Sequence, residues 1–188
     1  MIGAAIIGAE LAFWIVLVLA LVCRYLLRRR RLSTIGLLCL PVIDLCLLSF
    51  VVVDLVHGAA PQPSHAFAAS YLGFTVAFGH SITRWADERF AHRFAGGPKP
   101  VRPAKGSAAY VRQLWIEWLR VVLAVGLSAL ILFGLATVVC RQPVPHSLEQ
   151  AASSPLWGQM VLLGMVTVIW FLAGPAFARV TTSTTASR

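Results

Sequence analysis

The chain has 188 residues, 59% of them hydrophobic and 12% charged, with a formal net charge of +9. Soluble domains carry about 25% charged residues, so this composition excludes an ordinary soluble domain and points to one compact domain that uses lipid as part of its solvent. The basic residues flank apolar segments instead of lining a polar, aromatic-studded surface, which argues against nucleic acid as a partner.

In chain order, residues 2–23 form the first apolar segment, long enough as a helix for a bilayer core of about 30 Å. No basic residue precedes it, and Arg24, Arg28, Arg29, Arg30 and Arg31 follow it. A signal peptide has the reverse arrangement, so an uncleaved anchor with its N-terminus outside is expected. Residues 34–56 form the second segment, with Pro41 expected to kink the helix and free the carbonyl of Leu37. The HGAAPQPS connection, residues 57–64, reads as a tight outer loop. The third segment, residues 65–84, is the least hydropathic of the set. The basic run that follows, Arg84, Arg89, Arg93, Lys99, Arg102, Lys105 and Arg112, belongs inside by the positive-inside rule, so this segment should cross.

GGPKPVRPAKG, residues 96–106, reads as a flexible inner loop. Residues 114–140 form the fourth segment, with Trp115 and Trp118 at headgroup level and Glu117 expected to pair with Arg120. RQPVPHSLEQAASSP, residues 141–155, is the longest outer loop. Residues 156–178 form the fifth segment, with Trp157 at its outer end and a kink expected at Gly174-Pro175. A polar tail, residues 181–188, is expected to be disordered. Of the sixteen Lys and Arg residues, all but Arg141 then fall on one side. The expected fold is an all-α, polytopic helical membrane bundle, residues 1–180, with five transmembrane helices, N-out/C-in. The odd span count and the lack of an internal repeat argue against transporters built from two equal halves, unless the chain dimerises. Cys23, Cys39, Cys46 and Cys140 contain no C-x-x-C pair and imply no disulfide framework.

Ionisable residues inside a bilayer are costly, so they are the site candidates. Glu10 and Asp44 fall near the midplane by the helical rise, and His80 lies toward the inner side. If the first three helices bundle, these three can converge as a proton relay; the plainer alternative is a protonated carboxyl that glues two helices together. Asp54, His57 and His65, with His146 in the other outer loop, are weak candidates for a zinc or copper site; as solvated interfacial residues they need no metal. Ala69, Gly73, Ala77 and Ser81 recur every four residues, a small-residue stripe suited to close helix packing, although an Ala- and Gly-rich chain also produces such stripes by composition.

RWADERFAHRF, residues 84–94, looks like an interfacial continuation of the third helix. Its Arg84, Trp85, Asp87, Glu88, Arg89 and His92 form either an anchored helix end or a docking surface. No nucleophile elbow, phosphate loop or dinucleotide fingerprint is present, and His80 has no depth-matched partner for a haem. No cofactor is expected.

The stretch YLGFTVAFGHSITRWADERFAHRFAGGP, residues 71–98, resembles a group of small bacterial integral membrane proteins labelled YmcC-like, found in actinobacteria and bacilli. The resemblance implies a multi-pass plasma-membrane protein with no established activity, and assigns no functional residue. The functional expectation is a non-enzymatic accessory or scaffold protein that assembles by helix packing. It would contact anionic lipids through its basic inner loops and have a homo-oligomer or a membrane protein as possible partner. The alternatives are a small proton-coupled transporter or proton-conducting dimer using Glu10, Asp44 and His80, and a metal-dependent membrane enzyme using Asp54, His57 and His65.

Overall fold

The computed structural model describes residues 30–94, 96, 98 and 103–178, with Gly8, Leu11, Ala12, Ile15, Val16, Val18, Leu19 and Val22 of the first segment. Side chains are described at those eight positions and from Val42 onward, except those of Thr83, Ala86, Asp87, Phe90 and Phe94. The described residues are helical, with no strand among them. The eight described positions of the first segment are helical too, and Leu11, Ile15, Val18 and Leu19 are exposed.

Helix α1 spans Arg30–Val56 and runs through Pro41 without a break in its assignment. It ends where Gly58 takes a φ of 89°, a left-handed conformation open to glycine without a Cβ clash. There Ala59 N–H closes back onto the carbonyl of Asp54 at 3.2 Å. Helix α2, Pro63–Phe94, is 32 residues long, about 48 Å at ~1.5 Å per residue. RWADERFAHRF therefore continues the third apolar segment as one helix. Helix α3 spans Ala108–Gly134 and starts at Ser107, whose Oγ accepts from Tyr110 N–H at 3.1 Å. A π-helical turn, Leu135–Val139, prolongs it.

Helix α4, Leu148–Ser153, is a short helix in a stretch that the sequence alone leaves as loop. Its Ser147 Oγ accepts from Gln150 N–H at 3.2 Å. Helix α5, Pro155–Ala173, begins with proline in its first turn, where the missing N–H costs nothing. It stops at Gly174, and Pro175–Phe177 follow as a 3-10 turn, which is the break expected from the Gly-Pro pair.

The helices run antiparallel in sequence. α2 packs on α1 and α3, and α5 packs on α3 and α2. The buried apolar residues gather at the end that carries the α1–α2 connection and α4, here called the connector end. They include Leu47, Val51 and Leu55 of α1, Ala66 and Ala69 of α2, Leu132 and Ala136 from α3 and its extension, and Ala151, Leu156, Trp157 and Leu163, while Val121 and Ala124 of α3 are buried outside this cluster. Phe133 meets the Trp157 ring edge-on at 5.9 Å in the same region.

The α2–α3 seam is held by small residues. A Cβ on Gly73 would lie 2.8 Å from both the Ala124 carbonyl oxygen and the Ser128 nitrogen, and closer still to Ser128 Oγ. Only glycine lets the two backbones approach so closely. Ser128 Oγ donates to the Ser70 carbonyl at 3.0 Å, Ser70 Oγ donates to the Ala66 carbonyl at 2.8 Å, and Gln159 Nε2 of α5 donates to Ser70 Oγ at 3.2 Å. One buried serine thus ties three helices together.

Large apolar side chains point outward instead of inward on every long helix. They include Val42, Leu45 and Phe50 of α1, Val76 of α2, Leu123 and Leu130 of α3, and Met165, Val168 and Ile169 of α5. Soluble monomers rarely expose contiguous apolar patches beyond a few hundred Å². Among the described residues, two helices are long and apolar enough to cross a bilayer, Ala108–Val139 and Pro155–Phe177.

Candidate functional site

Away from the connector end, α2 and α3 carry their charges. Between them lies a groove of about 550 Å³, lined from α2 by Ser81, Arg84, Trp85 and Glu88 and from α3 by Arg112, Gln113, Ile116, Glu117 and Arg120. The antiparallel pairing that sets Gly73 against Ser128 also brings Ser81 opposite Arg120, where Arg120 Nη1 donates to Ser81 Oγ at 2.6 Å. The last member of the small-residue stripe therefore opens into the groove.

The two carboxylates are occupied along their own helices. Arg84 Nε donates to Glu88 Oε1 at 3.0 Å. Gln113 Nε2 donates to Glu117 Oε1 at 2.8 Å. Glu117 and Arg120, spaced so that they could pair, do not: Glu117 accepts from Gln113 and Arg120 donates to Ser81. Among the described residues, Arg112 and Arg120 have no carboxylate partner, so the groove carries positive charge that its own walls do not neutralise. Arg89 stacks over Trp85 at 4.4 Å from its centroid, a cation–π contact that holds the indole at the rim. His92 is exposed further along α2, and the Asp87 side chain lies outside the described residues. A cage of Trp115, Trp118 and Phe171 joins α3 to α5 nearby, with centroids 5.3–6.1 Å apart.

Of the proton-relay trio, Asp44 and His80 lie among the described residues, and His80 is not a hydrogen-bond partner of Asp44. Asp44 is 2% exposed, and neither carboxyl oxygen has a hydrogen-bond partner there. Thr75 of α2 faces it without meeting hydrogen-bond geometry. His80 is exposed, whereas Asp44 is buried. Glu10 lies outside the described residues.

At the connector end, Asp54 and His65 do meet, with Asp54 Oδ2 and His65 Nε2 3.3 Å apart. Gln62 N–H donates to His65 Nδ1 at 3.2 Å. A backbone N–H can only donate, so Nδ1 carries the lone pair and the proton sits on Nε2, facing the carboxylate. His65 is 1% exposed and works as a strut for the α1–α2 turn. His57 does not join them: its exposed ring turns Nδ1 to the Val53 carbonyl at 2.7 Å. Among the described residues, no three His, Cys, Asp or Glu side chains gather as metal ligands. The local Asp54–His57 spacing placed both on one helix face, but the backbone carbonyl one turn back captured the imidazole.

Helices with outward apolar faces, two of them long enough to cross a bilayer among the described residues, define a helical membrane protein. The chain is 38% identical over 131 residues to the uncharacterized membrane protein YmcC of Bacillus subtilis (strain 168), covering 69% of its own length and 70% of the relative's, and it belongs to that family. No family model and no solved structure matches the chain.

Proposed function

We propose that the chain is a five-span, N-out/C-in protein of the bacterial plasma membrane with a non-enzymatic, accessory role. The connector end, whose charged residues are Asp54, Arg141 and Glu149, would face out and the arginine-rich end would face the cytoplasm, as the positive-inside rule requires. The observation that carries the accessory role is how the interior polar groups are used. Ser70, Ser128 and Gln159 bond to one another or to backbone, His65 braces a turn, and Ser81 holds Arg120. These groups fasten helices together. The small-residue stripe is likewise consumed within the chain at Gly73, so a partner would meet a different surface, and the arginine end is the one with unneutralised charge.

Asp44 favours a second reading, a proton-coupled transporter or proton-conducting dimer. A carboxyl buried at mid-helix with no hydrogen-bond partner among the described residues is costly to keep. One experiment separates the two. The purified chain is reconstituted into vesicles loaded with a pH-sensitive dye, and a proton gradient is imposed with and without a membrane potential. An accessory protein leaves the vesicles as tight as empty ones. Flux that disappears in Asp44→Asn overturns that role in favour of transport.

A further inference from the structure

We propose that the groove between α2 and α3 is a binding site for the phosphate of an anionic phospholipid, with Arg112 and Arg120 as its ligands. The charge comes first. Glu88 pairs with Arg84 at 3.0 Å, and Glu117 accepts from the neutral Gln113 amide at 2.8 Å, so three arginines and two carboxylates leave the groove one net positive charge. Arg112 is exposed with no carboxylate partner among the described residues. Arg120 is half-buried, with one Nη1 donor fixed on the neutral Ser81 hydroxyl at 2.6 Å. A guanidinium held this way keeps its other donors free in a fixed fork, the geometry that suits phosphate oxygens.

The second observation decides between a free anion and a lipid. Arg112, Ile116, Leu119 and Leu123 recur at four, three and four residues, so they lie along one face of α3. Ile116 lines the groove, and Leu119, Leu123 and Leu130 continue upward from it as an exposed apolar track, reaching 67% exposure at Leu130. A cationic pocket that opens onto an apolar track is the shape of an amphiphile, with the phosphate between the arginines and an acyl chain along the leucines. Trp85, pinned by Arg89 at the mouth, sits where an indole favours the headgroup region. A soluble phosphate would use the pocket and have no need of the track.

The site rests on this end of the bundle lying at a membrane surface, as in the five-span reading. The test is titration of the full chain in detergent with phosphatidylglycerol and, separately, with phosphatidylcholine of the same acyl length, with bound lipids counted by native mass spectrometry. The first phosphatidylglycerol should bind ahead of phosphatidylcholine. Each arginine near a surface contributes about 1 kcal/mol toward anionic lipid, so R112Q should weaken that first binding about fivefold and R112Q/R120Q about thirtyfold. R93Q/K105Q removes the same charge outside the groove and should change it less than twofold. Because R112Q alters an exposed side chain, it keeps the test valid if R120Q disturbs the α2–α3 seam.

Equal binding of the two lipids, or equal losses in the two double variants, overturns the proposal. Inorganic phosphate that displaces the lipid at millimolar concentration would make the site one for a free anion and would also overturn it. The orientation fails separately. A reporter after Arg188 that works only outside the cell would overturn the N-out/C-in topology and leave the lipid selectivity in detergent unchanged.

Discussion

Replacing Gly73 by alanine puts the α2–α3 seam to a quantitative test. The new methyl would lie 2.8 Å from the Ala124 carbonyl oxygen and from the Ser128 nitrogen. Both are backbone atoms, so no rotamer change relieves the overlap. Ordinary contact begins near 3.4 Å, so the helices must separate by about 0.6 Å, enough to stretch the 3.0 Å Ser128–Ser70 bond beyond useful length. Overpacking costs about 1–3 kcal/mol, and a lost interhelical hydrogen bond in a membrane protein about 0.6 kcal/mol. Alanine returns roughly 0.5–1 kcal/mol of helix propensity, which leaves a net loss of about 0.6–3 kcal/mol. Gly126 is the internal control. It lies on the same helix pair with nothing within 4 Å of an added Cβ, so G126A gains propensity without a clash. Reversible unfolding in mixed micelles, followed by energy transfer between labels on α2 and α3, measures both. The propensity gain is common to both, so the two alanine variants should differ by about 1.6–3.6 kcal/mol. Equal stabilities would mean that Gly73 does not set the helix separation, and the seam as described would be wrong.

Further outcomes follow from the same contacts. S128A should lower stability by about 0.6 kcal/mol, because it removes only the donor to the Ser70 carbonyl; a loss above 3 kcal/mol in the same unfolding assay would show that the hydroxyl does more than that. H65A strands the Gln62 N–H and empties a buried site, and should cost about 1–3 kcal/mol. H57A, at an exposed ring, should cost under about 0.5 kcal/mol, and the reverse ranking would refute the strut. For topology, cysteines introduced at the exposed positions Arg141 and Lys105 should react differently with an impermeant maleimide in intact cells. In a chain whose native cysteines are replaced by serine, R141C should label at once and K105C only after permeabilisation, and the opposite pattern would reverse the orientation.

The sequence was most legible where one-dimensional patterns carry the physics. Apolar length marks the long helices, the four-residue stripe contains Gly73, where α2 and α3 approach closely, and RWADERFAHRF reads as helix because its Arg84–Glu88 spacing is helical, with a 3.0 Å bond between the two. A capping signal was present but passed over: Ser147 followed by Gln150 is the S-x-x-Q pattern, and it starts α4. The Arg89–Trp85 contact was legible at the same four-residue spacing.

Other features depend on azimuth and on tertiary competition, which spacing does not encode. The helical rise gave Asp44 and His80 their depths, but which way each faces depends on how the helices pack, and one is buried while the other is exposed. Glu117 and Arg120 were well placed to pair on α3, yet Ser81, 39 residues earlier in the chain, takes the guanidinium. Arg112 reads in the sequence only as the end of a basic run, and Gln113 carries no local mark. They become a site only when α2 lies opposite them.

The distribution of the core along the bundle has a mechanical consequence. From Leu47 to Leu163, the tightly packed side chains of all four long helices meet at the connector end, while beyond Gly73 the described part of α2 holds α3 through half-buried contacts and the Arg120–Ser81 bond. Local opening is easiest where buried contacts are few. The bundle therefore behaves like tweezers fixed at one end, whose tips can part without disturbing the joint. Backbone amides of residues 81–94 and 108–117 should exchange with deuterium well before those of residues 47–56 and 128–139. A ligand wedged between the tips would register as slower exchange there and nowhere else.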